Sequence, residues 1–302
     1  LTRSDLTIRK YIGGLLKHLH KGGRPRVWSM IITLFGDAVV PRGGVISLTS
    51  IQEIFAHMQF EENAVRTAMS RLTKENWLIR TKEGRQSFYK LAPQGLGKFE
   101  TATKRIYTKS TQDWSGEFDL VLMKSADARS RNTQKKQMLA LGYGSPVADV
   151  YIKPGANELP LPADMNVISR LTCQAGEQNL LQGLVSESWH MDELHAGYEA
   201  VIRMYEPVFD MLAIVEDLAP MDALVLRLLL IHDWRRVVLK DVELPDGLKP
   251  DNWPDERACD IVGALYHKLL ESSEIQLDTC YASANSMLPE PKQTFYERFK
   301  IL

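Results

Sequence analysis

Residues 61 to 76 present two faces that leave few folds open to them. Val65, Met69 and Leu72 fall at i, i+4 and i+7, the spacing of side chains stacked along one side of an α-helix, and so face a core. On the opposite side Asn63, Arg66, Thr67, Ser70 and Lys74, with Arg71 beside them, form a row of hydrogen-bonding and cationic groups, with acidic residues only at the ends of the segment. Directly afterwards Trp77–Thr81 and Ser87–Leu91 alternate as two strands around the tip Lys82-Glu83-Gly84-Arg85-Gln86, where a glycine supplies the turn. Upstream, a helix starting at Pro25 runs through Val27, Ile31, Leu34 and Phe35 to about Asp37, Pro41-Arg42-Gly43-Gly44 is a turn, and Val45–Leu48 is a short strand. Thr49 or Ser50 then caps a helix whose apolar face is Ile51, Ile54, Phe55 and Met58. Two helices, a polar-faced helix and a hairpin predict a winged helix-turn-helix.

Charge indicates the partner of that module. The 302-residue chain is nearly neutral, with 37 Lys plus Arg against 38 Asp plus Glu. Cut after Gln112, residues 1–112 hold 19 Lys plus Arg and 8 Asp plus Glu, net +11, and the remainder holds 18 and 30, net −12. Clustered cations displace counterions from a phosphate backbone, so a basic module preceding acidic ones points to a polyanion. A polar helix face by itself is as often plain solvated surface. One that bears arginines and is followed at once by a cationic hairpin has the parts to enter a major groove and hold its flanking phosphates. Arg66, Thr67, Ser70 and Arg71 are able to reach base edges, arginine especially guanine O6 and N7, while Lys74, Lys82 and Arg85 are placed for phosphates, and Asn63 is counted with the same DNA-binding face. Arg24, Arg26 and Arg42 are either solvated or touch phosphates, and Arg42 is counted with the DNA-binding set.

The flanking segments are less specific. Leu6, Ile8, Ile12, Leu15, Leu16 and Leu19 make a short amphipathic helix stopped by Gly22-Gly23. Residues 94–107 read as a linker helix, and polar Thr108–Asp113 separates domains. Trp114–Met123, Val147–Ile152 and Val167–Cys173 read as strands and Asp127–Leu141 as a helix, an α+β middle. From Trp189 the pattern is helical: one stripe runs from Leu194 through Leu212, another from Ala258 through Leu269. Between them Leu224–Val238 is apolar nearly all round in its first half and predicts the central buried helix. The expected order is an N-terminal arm (1–22), a winged-helix domain (23–93), a linker helix (94–112), an α+β domain (113–187) and a helical C-terminal domain (188–302).

No catalytic constellation is present. No GxxxxGK[ST], GxSxG or HExxH occurs, nor a GxGxxG opening a helix; Ala92 stands where a P-loop ending in Gly97-Lys98 would need its first glycine. His190 and His195 are five apart, off the spacing that puts two metal ligands on one helix face. Three scattered cysteines without a CxxC pair, no apolar run of 18 residues and no signal segment lead to an expectation of a cytoplasmic chain with no membrane span. His232-Asp233-Trp234-Arg235-Arg236 emerges from the apolar helix, so these groups either form an anion site, with Lys240 nearby, or an ion-pair network with Asp233 and Asp241.

Several motifs together resemble the PaaX family, phenylacetic acid degradation repressors of bacteria, over nearly the whole chain. They are Leu34-Phe35-Gly36-Asp37 with Pro41-Arg42-Gly43-Gly44, Val65-Arg66-Thr67-Ala68 with Arg71-Leu72, and Gly84-Arg85-Gln86-Ser87-Phe88-Tyr89. Toward the C-terminus they are Leu228-Leu229-Leu230-Ile231-His232, Arg235 to Asp241, Leu244-Pro245 and Trp253-Pro254. The resemblance implies an α+β multidomain protein: a GntR-like winged helix, a ferredoxin-like (Cas2-like) middle domain and a helical C-terminal domain, assembled as a homodimer. It implies a non-enzymatic, DNA-binding transcriptional repressor of phenylacetate catabolism, without a cofactor, released from double-stranded operator DNA by phenylacetyl-CoA. The effector would be held beside His232, Trp234, Arg235, Arg236 and Lys240. A winged-helix regulator of another aromatic pathway, answering a different aryl-CoA or acid, is the alternative. Two features depart from the pattern: Gln86 in the wing, and Pro160 and Pro162 where a second ferredoxin-like helix is expected. No suitably placed acidic pair supports a nuclease role for the middle domain.

Overall fold

The computed structural model describes residues 3–21, 27–108, 114–155, 160–162, 165–174, 176–213 and 218–300. Gly22 to Arg26, including the expected helix start at Pro25 and the cations Arg24 and Arg26, and residues 109–113 of the expected separator lie outside them. The chain is α+β. In order it forms α1 (Arg3–His20), α2 (Val27–Leu34), β1 (Val45–Ser47), α3 (Leu48–His57), α4 (Glu62–Lys74), β2 (Leu78–Glu83), β3 (Gln86–Leu91) and α5 (Pro93–Tyr107). Then follow β4 (Glu117–Met123), α6 (Ala128–Ala140), β5 (Gly144–Val147), β6 (Val150–Pro154), β7 (Val167–Gln174), α7 (Gln178–Trp189) and α8 (Met191–Leu212). The last elements are α9 (Pro220–Val238), α10 (Asp255–Leu277), β8 (Tyr281–Ser283) and β9 (Ser286–Met287). Two compact units result, one of residues 1–109, 200–238 and 256–302, the other of 110–199 and 239–255.

In the first unit, α9 is the axis. Ala223 through His232 are all buried, as the all-round apolar sequence predicts, and α1, α2, α3 and α5 pack on it. The chain after α2 widens into a π-helical turn, Phe35–Val39, then tightens into a single 3₁₀ turn, Val40–Arg42, before Gly43 and Gly44 take the left-handed conformation (φ +82° and +80°) that glycine adopts without strain. This irregular stretch carries Asp37 into the core. Its Oδ1 accepts hydrogen bonds from Tyr107 (2.7 Å) and Tyr266 (3.0 Å) and pairs with Arg298 Nη1 at 3.2 Å. Its Oδ2 lies 2.7 Å from Nε of the fully buried Arg227, a coulombic contact without hydrogen-bond alignment. Arg227 also binds Glu274 (2.5 Å), whose other oxygen binds Arg42 at 2.5 Å. The guanidiniums of Arg227 and Arg298 lie over the Tyr266 and Tyr107 rings, 5.1 and 3.9 Å from the centroids. Three cations and three carboxylates, counting Asp278 beside Arg42, thus neutralise one another where an unpaired charge would be costly.

The second unit is built on a four-stranded antiparallel sheet in the order β5-β6-β4-β7. Alternation along β4 and β6 splits the core. Phe118 and Ile152 face Leu181, Val185 and Trp189 of α7, whereas Val121, Met123 and Tyr151 face Met138 of α6. Gly144 is required here, because a Cβ would sit 2.6 Å from the Trp189 ring. Val147–Ile152 is a hairpin rather than one strand. The chain reverses at Ala148-Asp149, where Asp149 takes φ +62°, a conformation aspartate tolerates. Helical structure begins at Gln178, not at Trp189: Leu181, Val185 and Trp189 at i, i+4 and i+8 form the missed stripe. Residues 160–162, with both prolines, are not helical.

Candidate nucleic-acid interface

The α3–α4 pair is closed at both ends. Ser47, not Thr49 or Ser50, caps α3, its Oγ accepting from Ser50 N at 3.0 Å. At the other end Asn76 adopts φ +57°, and the Trp77 and Asn76 amides donate back to Leu72 O (2.9 Å) and Thr73 O (3.1 Å), a double closure that stops α4 and turns the chain directly into β2. Val65, Ala68, Met69 and Leu72 are buried, against neighbours in α2, α3 and β2. Asn63, Arg66, Thr67, Ser70, Arg71 and Lys74 are therefore all exposed on the outward side, together.

The arginines on that face already have partners that the sequence reading left at the helix ends. Arg66 Nη2 is 2.5 Å from Glu62 Oε1, and Arg71 Nε is 2.7 Å from Glu75 Oε1. Thr67 Oγ1 donates to Asn63 O at 2.8 Å. Both ion pairs join i and i+4 residues that are well exposed, so each is worth only about 0.3–0.5 kcal/mol and is readily exchanged for another partner. The pairs hold the side chains extended along the helix without removing them from solvent.

Beside α4, β2 and β3 pair from Leu78↔Leu91 to Glu83↔Gln86 around a two-residue turn, Gly84-Arg85, tighter than the five-residue tip the sequence suggests. Gly84 holds φ +59°, the conformation required at the first position of a II′ turn. Lys82 and Arg85 are exposed, and Arg80 Nη2 reaches across to Ser87 Oγ at 2.7 Å. The β8–β9 hairpin, absent from the sequence reading, braces this one: the Ala284 amide donates to Glu83 Oε2 at 2.8 Å and the Tyr281 amide to Ser50 Oγ at 3.1 Å.

Arg42 is corrected. Its side chain is 1% exposed and is bound to Glu274, Asp278 and the Pro289 carbonyl (2.9 Å), so it offers nothing to a phosphate. The segment from His232 likewise does not assemble as an open anion site. His232 and Trp234 are buried, with His232 Nδ1 3.1 Å from Thr33 Oγ1 and Trp234 Nε1 donating to Ile106 O at 2.8 Å. Burial, reinforced by Arg235 and Arg236, pushes the His232 pKa down to about 3, so the ring is neutral. Arg235 is committed to Thr33 Oγ1 (2.8 Å) and to Ser29 O and Oγ (2.8 and 2.6 Å). Arg236 is exposed, and Lys240 belongs to the other unit. Asp233 accepts from Tyr205 (2.8 Å), and Asp241 accepts from Tyr198. Among the described residues no helix is long and apolar enough to cross a membrane, and no cluster of His, Cys, Asp or Glu is suited to a metal.

Comparisons with known proteins bear on this arrangement. Residues 26–95 match the model of a family described as PaaX-like protein, and residues 189–279 match that of the PaaX-like protein C-terminal domain. The transcriptional repressor PaaX of Escherichia coli (strain K12) is 32% identical over 281 residues, spanning 90% of this chain and 89% of that protein. A solved structure, the uncharacterized protein Rv0674 from Mycobacterium tuberculosis, shares the fold with a TM-score of 0.50 at 20% identity, over 76% of this chain and 90% of that one.

Proposed function

The chain belongs to the PaaX family, whose relative in E. coli is a transcriptional repressor and not an enzyme, and from that premise we propose that it is a ligand-released repressor that reads operator DNA with α4. The observation that carries this reading is the shared exposure, on one side of α4, of Asn63, Arg66, Thr67, Ser70, Arg71 and Lys74, next to a hairpin whose Lys82 and Arg85 are also exposed. In this reading α3 and α4 are the helix-turn-helix and β2–β3 the wing of a GntR-like winged helix, with α4 in the major groove and the wing on flanking phosphates. The sheet order β5-β6-β4-β7 supports a ferredoxin-like middle domain, in which the described residues 160–162 between β6 and β7, with Pro160 and Pro162, are not helical. Two copies read a palindrome with their recognition helices about 34–36 Å apart, one duplex turn.

The effector in this reading is phenylacetyl-CoA, with a different aryl-CoA or acid of another aromatic pathway as the alternative. It releases the repressor by binding the conformation that does not fit DNA more tightly, and a coupling of about 1–3 kcal/mol would lower operator affinity roughly 5- to 150-fold. The test is a titration of the protein onto a palindromic promoter fragment at fixed salt, repeated with phenylacetyl-CoA, phenylacetate and acetyl-CoA. Release by phenylacetyl-CoA alone is expected. Tight binding indifferent to all three removes the effector and keeps the DNA reader; no sequence preference at any salt removes both.

A further inference from the structure

The two ends of α1 have different neighbours. At its C-terminal end the His20 ring lies against Phe60, with centroids 5.0 Å apart, and His20 Nε2 is 3.0 Å from Met58 O. That end is therefore seated on the turn between α3 and α4, immediately before the helix that faces DNA in the reading above. Further back, α1 and the residues of α8 that belong to the same unit enclose an open groove of about 640 Å³, within the size range of small-molecule sites. Tyr11 spans it, its hydroxyl donating to Met204 O at 2.9 Å. Tyr11 and Met204 give it an apolar floor, Lys10 and Arg203 a cationic rim with the His18 ring beside it, and none of the described residues lining it is acidic. Gly14 adds to the space, since a Cβ there would meet nothing within 4 Å. An apolar floor under a cationic rim selects by charge complementarity and burial at once.

We infer that the α1–α8 groove binds an amphipathic organic anion, an apolar aromatic or acyl body bearing a carboxylate or phosphate, and that α1 relays its occupancy to the α3–α4 turn. The inference rests on the repressor reading for its consequence, though not for the binding itself. A ligand wedged against Tyr11 and Met204 displaces α1 from α8. An α-helix moves as a rigid rod, so the displacement arrives at His20 and Phe60 and shifts the start of α4. The groove thereby gives the effector a site on α1 in place of the buried side chains of His232 and Trp234.

The full-length protein is titrated calorimetrically with phenylacetyl-CoA, phenylacetate and dodecanoate, which distinguishes an acyl-CoA, an aromatic acid and a fatty acid as the source of the anion. The same titrations are run on Gly14→Phe, which fills the groove, and on Lys10→Glu, which reverses its rim charge at an exposed site that cannot unfold the protein. At least one probe is expected to saturate the wild type, with affinity falling by about tenfold or more in both variants while operator binding without ligand stays unchanged. His20→Ala is expected to keep ligand affinity and lose ligand-induced release. Unaltered affinity in Lys10→Glu and in a folded Gly14→Phe overturns the groove while leaving an effector-released repressor intact, with its site elsewhere. Failure of all three probes to bind the wild type overturns it as well. Groove binding by a protein that does not recognise DNA overturns the repressor reading and spares the groove.

Discussion

Asp37 and Arg227 illustrate how single residues bind distant parts of the sequence together. Both are buried, and the charge of each is matched by the other and by groups on α5, α10 and the segment at Arg298. Removing one partner leaves a buried charge unmatched, so Arg227→Met is expected to cost about 3–5 kcal/mol, read as a lower urea midpoint with an unchanged slope. His232 makes a second prediction, with a sign. Its folded pKa, about 3, lies below the ordinary histidine value of 6.5, so the unfolded chain takes up a proton that the folded one refuses. Its contribution is complete above pH 6.5 and is lost as pH falls from 6.5 toward 3, by up to about 1.4 kcal/mol per pH unit. His232→Gln is expected to flatten that part of the stability profile relative to wild type, measured by denaturant titration across pH 3–7. Arg42 shows why such residues are hard to read from sequence. It sits in a glycine-flanked turn like any solvated arginine, and the carboxylates that bury it are Glu274 and Asp278, more than 200 positions away.

At the scale of elements, the pieces whose reasons are local were legible. The two faces of α4, the β2–β3 hairpin and the burial of the mostly apolar first half of α9 follow from spacing within a dozen or so residues, and the structure has all three. What escaped depended on context: α7, whose apolar stripe needs the sheet it covers, and β8–β9, too short to announce itself without the β2–β3 hairpin it braces. The outward face of α4 was legible residue by residue, but its pairing with Glu62 and Glu75 was not. That pairing sharpens the binding predictions. Arg66→Ala is expected to cost about 1–3 kcal/mol of operator binding and relax preference at one base position, whereas Lys74→Ala and Arg85→Ala weaken all sequences alike, each lowering the salt slope by about one. Fluorescence anisotropy on operator and scrambled duplexes at several salt concentrations separates the two classes, and equal, sequence-blind losses would refute the division.

For the whole molecule, the unit that carries α4 is assembled from sequence on both sides of the second unit, residues 1–109 with 200–238 and 256–302. The 1–109 fragment is thus expected to lack a cooperative thermal transition and to show little amide-exchange protection in α2, because Leu34, Phe35, Ala38 and Val39 lose their cover and Asp37 its cations. A sharp melt from that fragment would show that the N-terminal helices need nothing beyond themselves. The position of Arg298 in this network also bears on synthesis. A ribosome makes α3 and α4 early, and they are expected to settle only once Arg227, Glu274 and Arg298 have followed them out of the exit tunnel. On the proposed reading, a chain cut short by a premature stop before that point has no finished head to leave on an operator, so truncation is expected to give a loss of repression and not a dominant inhibitor.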